Sequence, residues 1–137
     1  MATFRNDYAY GTQNEEPVRL RLEQFFNRRL HRRDRYAPFD FDDGATLFLE
    51  LKSRRSHSGA FPTAIIGGNK VDIAKNNPTR TYWFCFQYED GLYGIQYDPK
   101  VFDTFERRLF QRGYRNDFHN NPQECVFIPI RNLISFS

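Results

Sequence analysis

Cysteine is scarce in this chain: Cys85 and Cys125 are the only two in 137 residues. Both fall in apolar, strand-like runs, so no disulfide framework is implied and a reducing compartment is expected. No apolar run approaches the roughly 20 residues of a membrane-spanning helix. No basic-then-apolar leader opens the sequence. The expectation is a soluble, intracellular protein of the cytoplasm or nucleus, with no membrane partner. The three histidines, His31, His57 and His119, lack metal-ligand spacing to one another or to the cysteines. His119-Asn120-Asn121 echoes only part of a His-Asn-His motif. Gly67-Gly68 lacks the Gly-x4-Gly-Lys-Ser/Thr spacing of a phosphate loop. There is no Gly-x-Ser-x-Gly elbow, and neither cysteine sits in a reactive setting. Internal repeats and low-complexity segments are also missing.

Aromatic residues are plentiful instead, with 15 Phe and 8 Tyr, which predicts a core built on phenylalanine. A net charge of +3 permits a nucleic-acid partner without requiring one. The length suits one domain, placed at 17–137 behind a polar, flexible lead-in over 1–16. From Pro17, a helix-start residue, the positions of Val18, Leu22, Phe25 and Phe26 predict an amphipathic helix. Arginines crowd that helix and its continuation, most densely at Arg28, Arg29, Arg32, Arg33 and Arg35. Arg54 and Arg55 follow in a polar loop. Arginine forks suit phosphate oxygens, so these seven are the candidate nucleic-acid contacts; a solvated helix face has the same composition.

The central stretch is Pro38 to Lys52. Phe39 to Asp42 and Thr46 to Leu51 read as two strands joined at Asp43-Gly44. Alternation puts Glu50 and Lys52 on one face, with Leu51 on the other. A three-residue loop, Asp43-Gly44-Ala45, sets Asp42 opposite Thr46, Asp40 opposite Phe48 and Pro38 opposite Glu50. Asp40, Asp42, Glu50 and Lys52 then share a face. A two-residue turn slips the register by one and separates Asp40 from Glu50. Carboxylates and an ammonium gathered on one sheet face are costly to desolvate unless they bind something. Hard oxygen donors suit Mg²⁺ or Mn²⁺, and a lysine alongside can orient an attacking water. A hairpin with a solvated, ion-paired outer face has the same spacing.

Asp40, followed by Glu50-Leu51-Lys52 at the end of an apolar strand, resembles the PD-(D/E)xK nuclease superfamily, in its Holliday-junction-resolvase-like branch. The proline stands at Pro38, giving Pro-Phe-Asp where the pattern has Pro-Asp. The resemblance covers roughly Pro17 to Tyr97. It implies a divalent-metal-dependent endonuclease acting on DNA, with RNA open and a homodimer possible. Asp40, Glu50 and the main-chain carbonyl of Leu51 would hold Mg²⁺ or Mn²⁺, and Lys52 would act on the water. Lys70, on a helix after the Glu-x-Lys strand, would point back at the site. A glutamate from the preceding helix often joins such sites, and Glu15, Glu16 and Glu23 are the candidates. A nucleic-acid-binding module that keeps the fold without turnover is the alternative.

The remaining elements follow in order. A short helix ends at Asn76-Asn77-Pro78, and Thr81 to Tyr88 reads as a strand covered on both faces. Asp90-Gly91 turns into a return strand, Leu92 to Tyr97. Asp98-Pro99 opens a helix with Val101, Phe102, Phe105 and Leu109 inward and Gly113 at its end. Tyr114 to Gln123 is looser. Cys125 to Ile130 is an edge strand by virtue of Pro129, and Leu133 to Phe136 packs back on the core. The predicted fold is α/β, a single mixed β-sheet flanked by helices in the order α-β-β-α-β-β-α-β, a restriction-endonuclease-like core.

Overall fold

The computed structural model describes residues 4–110 and 122–136. Gly113, His119 and most of the Tyr114–Gln123 stretch lie outside the described residues. Helix α1 spans Phe4–Phe26. It begins well before Pro17, so the stretch from Phe4 to Glu16, expected as a lead-in, is helical. Pro17 lies within the helix and forfeits one intrahelical hydrogen bond. Asn27, at φ 53°, adopts the left-handed conformation that ends helices. The arginine run therefore leaves the helix it was expected to decorate. His31–Arg32 forms a short strand, β1.

The chain continues through β2 (Phe41–Asp42), β3 (Leu47–Ser53), β4 (Thr63–Gly67) and α2 (Gly68–Lys75). Then come β5 (Thr81–Tyr88), β6 (Gly91–Gln96), α3 (Pro99–Phe102), β7 (Glu106–Phe110) and β8 (Gln123–Pro129). A 3-10 turn at Ile130–Asn132 leads to β9 (Ile134–Ser135). The fold is α/β, but with two sheets where one was expected. A six-stranded mixed sheet has the order β1-β2-β3-β5-β6-β9, and a three-stranded sheet the order β4-β8-β7. β3 and β5 run parallel, from Leu47 opposite Thr81 to Ser53 opposite Gln87. Parallel neighbours need a crossover, and α2 lies in it.

Alternation along β3 sorts the core. Leu47 and Leu49 join Val18 and Leu22 of α1, with Phe41 and Cys85. On the other face Phe48 packs with Tyr82, Phe84 and Phe86 against Ile66, Val126 and Ile128 of the second sheet. Phe41, Phe84 and Phe86 are fully buried, so the core is built on phenylalanine as composition implied. Truncating any of them to alanine should cost about 3–5 kcal/mol. Both cysteines are free and buried.

Three further expectations are corrected by non-local pairing. The helix from Pro99 stops at Phe102, although Asp98 caps it by accepting from Lys100 N–H. Residues Glu106–Phe110 pair with β8 instead, leaving Leu109 64% exposed. Thr63–Gly67, not counted as a strand, pairs with the other side of β8. β8 is thus a central strand rather than an edge. Pro129 is tolerated because it is the last residue, opposite Thr63. The tail behaves as expected: β9 pairs with β6, and Phe136 is buried with its ring 4.5 Å from that of Phe25. Among the described residues no helix is long and apolar enough to cross a membrane.

Candidate functional site

The β2–β3 hairpin closes through a three-residue loop, shifted one position from expectation. Asp43 N–H donates to Leu47 O at 3.1 Å, so the loop is Gly44-Ala45-Thr46. Gly44 takes φ 80°, a conformation that favours glycine. Asp42 therefore lies opposite Phe48 rather than Thr46. The register moves by two, an even number, so the paired residues Phe41 and Asp42 keep their faces. The shift brings Asp40, expected opposite Phe48, up to Glu50 and Leu51.

At Asp40 the strand is bulged. Its N–H donates to Leu49 O at 3.0 Å, although the ladder partner of Leu49 is Phe41. Two residues addressing one is the arrangement of a β-bulge, which re-aims side chains. Phe39 consequently turns to the opposite face from Phe41 and packs on Tyr82, ring centroids 4.8 Å apart. The Asp40 carboxylate is left beside the β3 backbone, where Oδ2 accepts from Leu51 N–H at 2.7 Å. In an extended strand the N–H and C=O of one residue point to the same edge. The Leu51 carbonyl thus also faces the Asp40 side.

Glu50 is 3% exposed. Lys52 Nζ stands 3.4 Å from its Oε2, and Lys70 Nζ, from the first turns of α2, 3.8 Å from the same oxygen. Lys70 also donates to Pro38 O and lies over the Phe39 ring. Burial pushes the Glu50 carboxyl up to about 7. The Lys52 and Lys70 ammoniums oppose that rise, and the charge and hydrogen bonding of Asp40 add to it. The four residues singled out from the sequence, Asp40, Glu50, Lys52 and Lys70, therefore meet at one point from three segments of chain.

Among the three helix glutamates, the geometry separates one. Glu16 pairs with Arg19, and Glu23 accepts from Arg19 and from Leu30 N–H, tying the helix end down. Glu15 instead comes close enough to Asp40 to feel its charge. Burial raises the Glu15 carboxyl; Arg32 opposes the rise, and Asp40 and Glu16 add to it. Its buried Oε2 makes no hydrogen bond of good geometry, although Arg32 Nε is 2.8 Å away as an ion-pair partner. No periodicity in the sequence distinguished Glu15 from its neighbours; only the packing of α1 against the hairpin does.

The arginines are more committed than expected. Arg28 pairs with Asp43 at 2.7 Å, Arg32 with Glu15, and Arg33 with Asp42 at 3.1 Å. Arg54 donates to the carbonyls of Ser53 and Ile65. Arg35 lies over the ring of Tyr36 at 5.1 Å. Arg28, Arg32 and Arg33 nonetheless keep about half of their side-chain surface open. Arg29, Arg35 and Arg55 are exposed.

The donor chemistry at the hairpin fits a hard divalent cation: two carboxylates, a backbone carbonyl on the same side, and a buried acid whose charge only ammoniums offset. No group of three or more His, Cys, Asp or Glu among the described residues is already gathered to hold an ion. Glu15, the nearest third acid, is paired with Arg32. Compared with known proteins, the chain matches no family model, and no curated protein matches it in sequence.

Proposed function

We propose that this protein is a metal-dependent nuclease. More specifically, it is a DNA endonuclease of the PD-(D/E)xK type, with a resolvase-like preference for particular DNA structures. The observation that carries the reading is the convergence of Asp40, Glu50, Lys52 and Lys70 around one buried carboxylate. A merely solvated hairpin has no reason to bury Glu50 and surround it so. The parallel β3–β5 pair with α2 in its crossover also suits the restriction-endonuclease-like core.

Asp40, Glu50 and the Leu51 carbonyl would hold Mg²⁺ or Mn²⁺. When bound, such an ion polarises the scissile phosphate and lowers the pKa of its water. Lys52, anchored by Glu50, orients the attacking water in line with the phosphorus. Lys70, held by Pro38 O, presents its remaining protons to phosphate oxygens as charge builds on them. The exposed guanidinium groups of Arg29, Arg35 and Arg55 add backbone affinity without reading bases.

Labelled single-stranded, duplex, flapped and four-way DNAs, incubated with Mn²⁺ or Mg²⁺, test this directly. Wild type should cut, EDTA should stop it, and Glu50→Ala and Lys52→Ala should be inert. Equal cutting by all three proteins would sink the assignment. DNA binding that survives EDTA, with no cutting by any of them, would instead establish a non-catalytic binding module, a reading favoured by the Arg32–Glu15 pair.

A further inference from the structure

The loop joining β1 to β2 is short, closed and tipped by an aromatic ring. Arg33 N–H donates to Asp40 O at 2.7 Å, so Asp34 to Phe39 form a six-residue loop hinged on Asp40 itself. Within it Ala37 N–H donates to Asp34 O and Tyr36 N–H to Asp34 Oδ1, both at 2.9 Å, which makes a hydrogen-bonded turn. The far side of the loop is pinned by Lys70, which takes Pro38 O. The loop backbone is hydrogen-bonded at its base, its turn and its far side, yet Tyr36 at its tip is 83% exposed, the most open of the large apolar side chains described. The Arg35 guanidinium lies 5.1 Å from its ring centroid.

An aromatic ring held out in water on a hydrogen-bonded turn serves no packing purpose. The Cα atoms of Tyr36 and Asp40 lie at most roughly 14 Å apart, so with the length of the tyrosine side chain added the ring stays within roughly three to four nucleotides of a phosphate at the carboxylates. Aromatic faces bind nucleobases by stacking, and a guanidinium on the same ring adds cation–π and phosphate contacts. A continuous duplex offers no free base face, because each is already stacked inside the helix. A strand with unpaired or extruded nucleotides offers one.

We infer that Tyr36 and Arg35 form a base-stacking platform beside the hairpin carboxylates, and that the substrate presents an unpaired nucleotide there. The inference rests on the nuclease reading for its substrate class but concerns which form of nucleic acid is engaged.

Binding without turnover tests it. Fluorescence anisotropy in Ca²⁺ would compare a labelled mixed-sequence single strand, as DNA and as RNA, with a blunt duplex of the same sequence. Tyr36→Ala should weaken single-strand binding on the order of tenfold, and duplex binding less than about twofold. Tyr36→Phe should restore it, since the stack needs the ring and not the hydroxyl. Tyr36→Trp should lose tryptophan emission when the single strand is added and much less with duplex. Whichever of DNA or RNA shows the Tyr36 effect names the strand. Tyr36→Ala lowering both forms equally, or neither, would overturn the platform. If wild type still cuts and Lys52→Ala does not, the nuclease reading survives that result. Wild type binding no nucleic acid and cutting none would overturn both.

Discussion

Asp42 and Glu50 are the two charged residues that the described part of the chain buries, at 5% and 3% exposure. They belong to neighbouring strands of one hairpin and on the same face, yet they are treated oppositely. Asp42 is fully engaged in holding the hairpin together. Its Oδ1 accepts from Gly44 N–H at 2.9 Å, and its Oδ2 meets Arg33 at 3.1 Å. Asp43 does similar work beside it, accepting from Ala45 and Leu47 N–H. Glu50 closes no turn. It faces two lysines and a second carboxylate, and burial pushes its carboxyl up to about 7. A buried acid whose partners are satisfied is explained by the fold; one whose partners leave it strained asks for a ligand.

The widest gap between the two acids should be in catalysis. Glu50→Ala and Lys52→Ala should each lower DNA cleavage in Mn²⁺ by about 10²–10⁴-fold in single-turnover assays. Asp42→Asn should leave the cleavage rate of the folded fraction nearly unchanged. If Asp42→Asn were as inert as Glu50→Ala, the distinction between the two acids would fail.

Stability should show the next largest effect, in the opposite sense for each residue. The Glu50 carboxyl titrates near 4.5 in the unfolded chain and at about 7 when folded. Below about pH 4.5 both states carry the proton and Glu50 costs nothing. Between 4.5 and 7 the unfolded chain ionises first, so stability falls as pH rises, by about 3 kcal/mol in total above pH 7. Urea unfolding of metal-free protein should show this slope, and Glu50→Gln should remove it and be the more stable protein at pH 8. Mn²⁺ should raise the melting temperature of wild type at pH 8 more than at pH 5, and leave Glu50→Gln unmoved. An Asp42→Ala change should instead destabilise at neutral pH, by about 1–3 kcal/mol, because Gly44 N–H and Arg33 lose their acceptor.

The smallest effect sharpens the role of Lys70. Arg107 makes two 2.9 Å bonds to Asp72 and also pairs with Glu124, joining α2 to the second sheet. Both side chains are partly open to solvent, at 34% and 49%. Asp72→Asn should cost less than about 1 kcal/mol of stability in urea titrations. A cleavage rate that falls while DNA affinity holds would show that α2 must be fixed for Lys70 to act; an unchanged rate would make the pair purely structural.

Local chemistry alone determined a good deal of this protein. The even spacing of Glu50 and Lys52 puts them on one face of a strand whatever surrounds it, because side chains alternate. Asp43-Gly44 had to turn, and Phe41, Phe84 and Phe86 had to be inside. The short helix ending at Asn76 and the strand Thr81 to Tyr88 follow from their own residues. What the tertiary structure decided is everything that depends on a partner distant in sequence. The Pro99 helix stops at Phe102 because Glu106–Phe110 gains a ladder with β8, and local periodicity cannot see that ladder. Pro129 marked an edge strand, yet β8 lies between β4 and β7, with Pro129 past the end of the β7 ladder. The bulge at Asp40, which sends Phe39 and Phe41 to opposite faces, comes from register against β3 and not from composition. Glu15 was one of three candidate glutamates until α1 packed it near Asp40, and Arg28, Arg32 and Arg33 met their acids only in the fold. Burial turns these same side chains from solvated charges into a site, because the cost of desolvating a carboxylate depends on what the rest of the chain places around it.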